Sequence, residues 1–142
     1  MTDAHPDAVQ RFVDRFTMLW DRPEPDAYAS LWHDDGTLLH PGMEAPIPAS
    51  EIPDYVRRLT KALPDIRLTP LTWAGRGDDV LIEWEITATF KGRAFSWRGA
   101  DRFTLRGERA VEGIAYFDTF PIWAAVDPTL RRPEVDRLGL LA

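Results

Sequence analysis

Two carboxylates and one imidazole stand where they could move protons. The stretch from Arg93 to Phe120 reads as two runs of period two, joined at Arg106–Gly107–Glu108–Arg109, a turn signal. In the first run Phe95, Trp97, Phe103 and Leu105 fall on one face, with Ser96, Arg98, Arg102, Thr104 and Arg106 on the other. That is the pattern of a half-buried antiparallel strand. Asp101 shares the parity of the apolar set, so it is expected to point inward. In the second run Ile114, Tyr116, Asp118 and Phe120 share a face, which carries Asp118 inward too. A carboxylate among apolar side chains is costly unless it is paired, hydrogen-bonded or protonated. As a neutral acid Asp101 could donate a hydrogen bond to an enolate oxygen. Its alternative is to accept backbone amides or pair with an arginine. Asp118 could protonate a leaving oxygen or steer a water; its alternative is an ion pair with Arg98 or Arg102, which lie on the opposite parity. His40 ends a short strand before Pro41–Gly42, where a neutral imidazole is a suitable general base. It could equally be a satisfied, half-buried histidine beside the turn. Asp65 is a lesser candidate that could simply terminate a helix.

Composition narrows the function classes. The 142 residues suit one domain, 1–142, with a short C-terminal tail, and the contents of 44% hydrophobic and 28% charged residues are those of a globule. No apolar run approaches ~18 residues, so no membrane span and no membrane partner are expected. The start MTDAHPDAVQ shows no basic region followed by an apolar one. Cysteine is absent, which removes disulfides and thiolate chemistry; a cytoplasmic location is expected. With a net charge of -6 and scattered basic residues, nucleic-acid binding is not expected. His33, Asp34, Asp35 and His40 match no metal-ligand spacing, and neither a metal nor a cofactor is expected. Six tryptophans suit either a pocket wall for a flat, apolar or polycyclic molecule or a Trp-rich core.

The elements that must position these residues follow in chain order. Val9, Phe12, Val13, Phe16, Leu19 and Trp20 have helical spacing and predict an amphipathic helix of about four turns. Arg22–Pro23–Glu24–Pro25 ends it. Asp26 can cap a short second helix that buries Tyr28, Leu31 and Trp32. His33–Asp34–Asp35–Gly36 reads as a turn, Thr37–His40 as a strand, and Met43–Ala49 as a loop. Ser50 can cap a third helix with Ile52, Tyr55, Val56, Leu59 and Leu63 as its buried stripe. Ile66–Trp73 reads as a strand in which Pro70 signals an edge or a bulge. Val80–Phe90 alternates most clearly, with Val80, Ile82, Trp84, Ile86, Ala88 and Phe90 on one face. Lys91–Gly92 is a hairpin signal, and Pro121–Val126 could add a last turn of helix. From Asp127 onward a surface tail is expected. Helices first and antiparallel strands after them predict an α+β fold, with a curved sheet wrapped around the N-terminal helices. The open end of such a cone is a natural pocket. Phe12, Phe16, Trp20 and Trp32, then Tyr55 and Leu59, then Trp84, Trp97, Phe103 and Tyr116 are expected to wall it and bind substrate.

This element order, over roughly residues 7–123, resembles the NTF2-like cone. AVQRFV, YASLWHDDGTLLHPG and FKGRAFSWRGADRF resemble segments of bacterial ketosteroid isomerases, and GADRFTLRGERAVEGIAYFD resembles the SnoaL-like polyketide cyclases. The resemblance puts the isomerase's oxyanion-hole acid on Asp101. It puts His40 in place of the general-base aspartate and Phe12 in place of the oxyanion-hole tyrosine. In the cyclases the acid/base aspartate falls on Asp118. Limonene-type epoxide hydrolases carry a carboxylate there as well, but their further arginine has no counterpart between Ile82 and Thr87. The resemblance implies cofactor-independent acid–base catalysis on an apolar carbonyl or polyketide-like substrate. Alternatives are an epoxide hydrolase and a non-catalytic small-molecule binder. It also implies a homodimer through the outer sheet face, on which Leu81 stands.

Overall fold

The computed structural model describes residues 6–132 and residue 139. Helix α1, Pro6–Asp21, buries Val9, Phe12, Val13, Phe16 and Trp20 and leaves Gln10, Arg11 and Asp14 in water. The apolar stripe thus selects the buried face, and Pro23 and Pro25 prevent the helix from continuing. Helix α2, Pro25–Ala29, starts on a proline and buries Tyr28. Trp32 does not extend it. Strand β1 runs Trp32–Leu39, so the expected turn at His33–Gly36 lies within a strand. The ladder to its neighbour shifts between Trp32 and Thr37, and the Trp32 indole donates to the Thr37 carbonyl at 3.1 Å. That irregular stretch leaves Asp34 and Asp35 exposed, which is why local composition reads as a turn.

Ile47–Pro48 forms a short β2, followed by a 3-10 turn at Ala49–Glu51 and helix α3, Ile52–Ala62. Ser50 is not the cap expected: Glu51 holds the N-cap position, and no side chain bonds there. Four long strands follow: β3 Arg67–Arg76, β4 Asp79–Phe90, β5 Arg93–Arg106 and β6 Arg109–Phe117. The β4–β5 turn places Lys91 at φ 48° and Gly92 at φ 76°, the pair of positive values that a tight hairpin with matching twist requires. Strand β3 lies at the sheet edge, and its register to β4 shifts between Pro70 and Thr72, as the proline signals. It extends to Arg76, past the expected end. Helix α4, Phe120–Val126, packs on β5. The expected tail falls, beyond Arg132, outside the described residues except for Gly139. Among the described residues no helix is long and apolar enough to cross a membrane.

The six strands form one open, curved sheet in the order β2-β1-β6-β5-β4-β3, with β1 parallel to β6 and the other pairs antiparallel. The helices lie in its concave face, giving the α+β cone that the resemblance implies. Its packed end centres on Phe103, whose ring meets Phe12 at 4.9 Å, Phe16 at 5.6 Å and Trp32 at 5.7 Å, all edge-on.

One expectation fails on β6. Asp101 pairs with Ala115, Phe103 with Gly113 and Gly99 with Phe117, so Gly113, Ala115 and Phe117 face inward. Ile114 and Tyr116 face outward, with Tyr116 56% exposed. A Cβ on Gly113 would come within 3.0 Å of the Phe103 ring and 3.1 Å of Trp32. The interior above β6 is already filled by rings from other elements, so the strand turns its small residues in and its large ones out.

Candidate active site

The open end of the cone holds a cavity of about 100 Å³. Its floor is sheet: Trp84 and Ile86 on β4, Trp97 and Asp101 on β5, and Phe117 on β6. Its roof is helix: Trp20 at the end of α1, Tyr28 on α2, Tyr55 and Leu59 on α3, and Ile122 on α4. His40, just past β1, joins the wall.

Asp101 sits in the middle of the sheet, opposite Ile82 on one side and Ala115 on the other, and is 6% exposed. Burial raises its pKa to about 7, and the nearby Trp84 indole offsets this slightly. No backbone amide or cation contributes to its state. The arginines that could have paired with it are engaged on the outer face: Arg98 with Glu85 at 3.0 Å, and Arg102 with Glu112 at 2.7 Å. Asp101 therefore exchanges a proton near neutrality inside an apolar hollow. Burial, followed by the charge of Asp101, raises the pKa values of Tyr28 and Tyr55, so both phenols hold their protons.

His40 lies 2.6 Å from the Tyr55 hydroxyl through Nδ1, with the two rings edge-on at 5.1 Å. Burial lowers its pKa to about 4, which keeps the imidazole neutral at ordinary pH. If Nδ1 carries the hydrogen, it donates to the phenol oxygen and Nε2 is a free base. If Tyr55 donates instead, Nε2–H is a donor. His40 also borders an outer groove of about 520 Å³ between Pro41–Gly42–Met43 and Ile114–Phe117. It thus stands in the partition between the inner hollow and the exterior.

Asp118 is not in the cavity. Strand β6 ends at Phe117, and Asp118 turns into solvent. There its Oδ1 accepts the Phe120 N–H at 2.9 Å, and its other oxygen pairs with Arg132, which also lies over the Phe120 ring at 4.5 Å. The bonds to Phe120 and Arg132 lower its pKa. It organises the start of α4. Asp65 likewise accepts the Thr89 N–H at 2.9 Å and joins the end of α3 to β4.

Of the expected wall, Trp20, Tyr55, Leu59, Trp84 and Trp97 line the cavity. Phe12, Phe16, Trp32 and Phe103 do not: they pack against one another behind it. Tyr116 stands on the opposite sheet face. Tyr28, Ile86, Phe117 and Ile122 are among the wall residues outside the expected set. Tyr28 was legible as buried from its helix, whereas Phe117 required the true parity of β6. Among the described residues no group of three or more His, Asp or Glu side chains is disposed to hold a metal ion. At the β5–β6 turn, away from the cavity, Asp35 is taken up by Arg106 at 2.8 Å and His33 by the Arg106 carbonyl at 2.6 Å.

Residues 9–113 match the SnoaL-like domain family. No curated protein sequence matches the chain. Among solved structures, one similar protein is from Catenulispora acidiphila, has a ketosteroid isomerase-like fold and was crystallised with trimethylamine. It is 22% identical over 80% of this chain and 90% of its own, with TM-score 0.73. A Jannaschia sp. CCS1 protein assigned to the SnoaL-like polyketide cyclases is 14% identical over 92% and 100%, with TM-score 0.76. An NTF2-like protein from Burkholderia pseudomallei is 16% identical over 84% and 98%, with TM-score 0.76. At these identities the likeness is one of fold.

Proposed function

The chain belongs to the SnoaL-like domain family, and from that premise we propose that it performs cofactor-independent acid–base catalysis on a compact cyclic carbonyl compound. The observation that carries this reading is that Asp101 and the His40–Tyr55 pair open into one cavity. In the reactive tautomer His40 Nδ1–H donates to Tyr55, and Nε2 removes a proton from the carbon beside the carbonyl. The C–H electron pair becomes the enolate double bond, and charge moves to oxygen. There protonated Asp101 donates a hydrogen bond. Return of the proton from His40 to a different carbon isomerises the substrate. Attack of the enolate carbon on a second carbonyl closes a ring instead, and the proton then goes to the new alkoxide. His40 with a pKa of about 4 is a weak base, so the hydrogen bond at the enolate oxygen must lower the barrier substantially.

The test is deuterium exchange at the α-carbons of compact cyclic ketones in D₂O, followed by proton NMR. The wild type should exceed buffer, and Asp101→Asn and His40→Ala should each lose about 100-fold or more. Buffer-level exchange by the wild type, or unchanged rates in both variants, removes the enzymatic reading and leaves a small-molecule binder. The epoxide-hydrolase alternative is less well supported, because Asp118, the carboxylate it would use, is exposed and bonded to the Phe120 N–H and Arg132.

A second copy of the chain is proposed to cover the outer sheet face, where Leu81 and Tyr116 are exposed among charged neighbours. Light scattering should give a dimer mass that Tyr116→Asp lowers; a monomer at all concentrations removes this part of the reading.

A further inference from the structure

The hollow meets solvent along one rim. The residues that line it are buried apart from His40, Tyr55, Leu59, Phe117 and Ile122, which are half-buried. These five lie on α3, on α4, at the end of β6 and just past β1, so they ring the open end of the cone. The volume inside limits what the rim can enclose. About 100 Å³ is less than the ~150 Å³ of an apolar cavity that holds benzene. One small ring fills it, and any long substituent on that ring has to leave through the rim. The rim is not uniform. His40 is tied to Tyr55 by a hydrogen bond of 2.6 Å, whereas it meets Phe117 through edge-on ring contact at 6.0 Å. A chain that parts His40 from Phe117 leaves the His40–Tyr55 pair intact. Both rings also line the outer groove of about 520 Å³, so that gap leads directly into it.

The groove is a split in the sheet. Strand β1 follows β6 as far as Leu39, opposite Ile114; there β1 ends, while β6 runs on to Phe117. A reverse turn forms one wall. The Met43 N–H donates to the His40 carbonyl at 3.1 Å, Gly42 takes φ 89°, and the His40 N–H meets the Met43 sulfur at 3.3 Å. The thioether is thereby held beside His40, where the groove begins. Ile114 and Tyr116 stand on the other wall, and no carboxylate, ammonium or guanidinium lines either one. A second groove, by the end of α3, differs: Asp21, Arg22, Asp65 and Arg67 line it, and it meets the hollow at Ile66, which is buried. Apolar surface left in water favours an apolar occupant, and of these two grooves the one behind His40 and Phe117 offers it.

We infer that the outer groove is a subsite for an unbranched apolar chain that passes between His40 and Phe117, so that the substrate is a compact cyclic ketone bearing an alkyl tail. This names the substrate class of the proposed site and rests on the ring binding in the hollow. The tail adds affinity by burying methylenes against Leu39, Pro41, Met43 and Ile114. An ionic tail would lose its hydration and find no counter-charge there, so it is disfavoured. Tyr116 is shared with the face proposed to meet a second copy, and the tail is therefore read at Met43.

The experiment is an NMR titration of the full chain, labelled with ¹³C at the methionine methyls, with cyclopentanone and its 2-ethyl, 2-butyl and 2-hexyl derivatives. The chain has three methionines, and Met18, 68% exposed on α1, reports non-specific adsorption. Affinity should rise about 2- to 4-fold with each added methylene. The Met43 methyl should shift with the butyl and hexyl compounds and not with cyclopentanone, while Met18 stays in place. Met43→Asp should cut the gain from cyclopentanone to its hexyl derivative about 10-fold, a ratio in which any change at His40 cancels. Affinity that is flat or falls with chain length, an unmoved Met43 signal, or Met18 and Met43 shifting together each overturns the inference. So does a Met43 signal that changes with protein concentration and not with ligand, because a second copy then fills the groove. The wild-type spectra decide the matter even if Met43→Asp fails to fold. Because the readout is binding, it stands apart from the exchange assay. A gain with chain length but no deuterium exchange would sink the catalytic reading alone, and exchange without that gain would sink this one.

Discussion

The floor of the cone around Asp101 and the corner around Asp118 hold the same side chain in opposite conditions. Asp101 has strands on both sides, helices above and no cation, and burial lifts its pKa to about 7. Asp118 has solvent, an amide and Arg132, and its pKa falls. The first is a group kept at the point of losing its proton; the second is a fixed charge that starts a helix. The difference in proton affinity comes from the absence of partners, not from the carboxyl itself.

The largest effect should separate the two regions by rate. Asp101→Asn should cost about 100-fold or more in α-proton exchange, and Asp118→Asn less than about 2-fold. Equal losses would erase the distinction. The next effect is packing on β6, the strand between them. Gly113→Ala drives a methyl against Phe103 and Trp32 and should destabilise by about 1–3 kcal/mol in urea unfolding, whereas outward-facing Ile114→Ala should cost less. The reverse order would restore the parity first expected for that strand.

A third effect concerns pH. Asp101 has its folded pKa raised from 3.8 to about 7. Its contribution is therefore full below 3.8 and is lost as pH rises through 7. His40 has its folded pKa lowered from 6.5 to about 4. Its contribution is full above 6.5 and is lost as pH falls through 4. Between about 4 and 6.5 the two slopes oppose each other, each at about 1.4 kcal/mol per pH unit, and the pair leaves the wild type nearly flat. Asp101→Asn should become more stable as pH rises across that window, and His40→Ala less stable. Urea unfolding at pH 4.5, 5.5 and 6.5 checks both signs. The smallest effect belongs to the corner: breaking the exposed Asp118–Arg132 pair with Arg132→Ala should lower stability by less than about 1 kcal/mol, and less still in high salt.

Local patterns were legible wherever neighbours did not overrule them. The stripe of α1, the alternation of β4 and β5, the Lys91–Gly92 turn and the irregularity at Pro70 each follow from residues a few positions apart. The readings that failed depended on distant packing. His33–Gly36 is polar and turn-like, yet it runs as strand because β6 lies alongside, with a shifted register. Tyr116 is large and apolar, yet it faces out because Phe103 and Trp32 occupy the space within. Phe12, Phe16, Trp32 and Phe103 carry the same inward signature as the cavity residues, since periodicity reports which face is buried and not whether that face meets a void.

By itself the sequence determined the inward aim of Asp101, because alternation within one strand is a property of the backbone. It also determined the helix-then-sheet order that makes a cone. Only the tertiary structure decided that His40 meets Tyr55, that Asp118 turns out to the rim, and that Trp20, Trp84 and Trp97 from separate elements line one hollow. Those outcomes depend on which side chains from separate elements reach a given space first, and close packing allows one occupant to each volume.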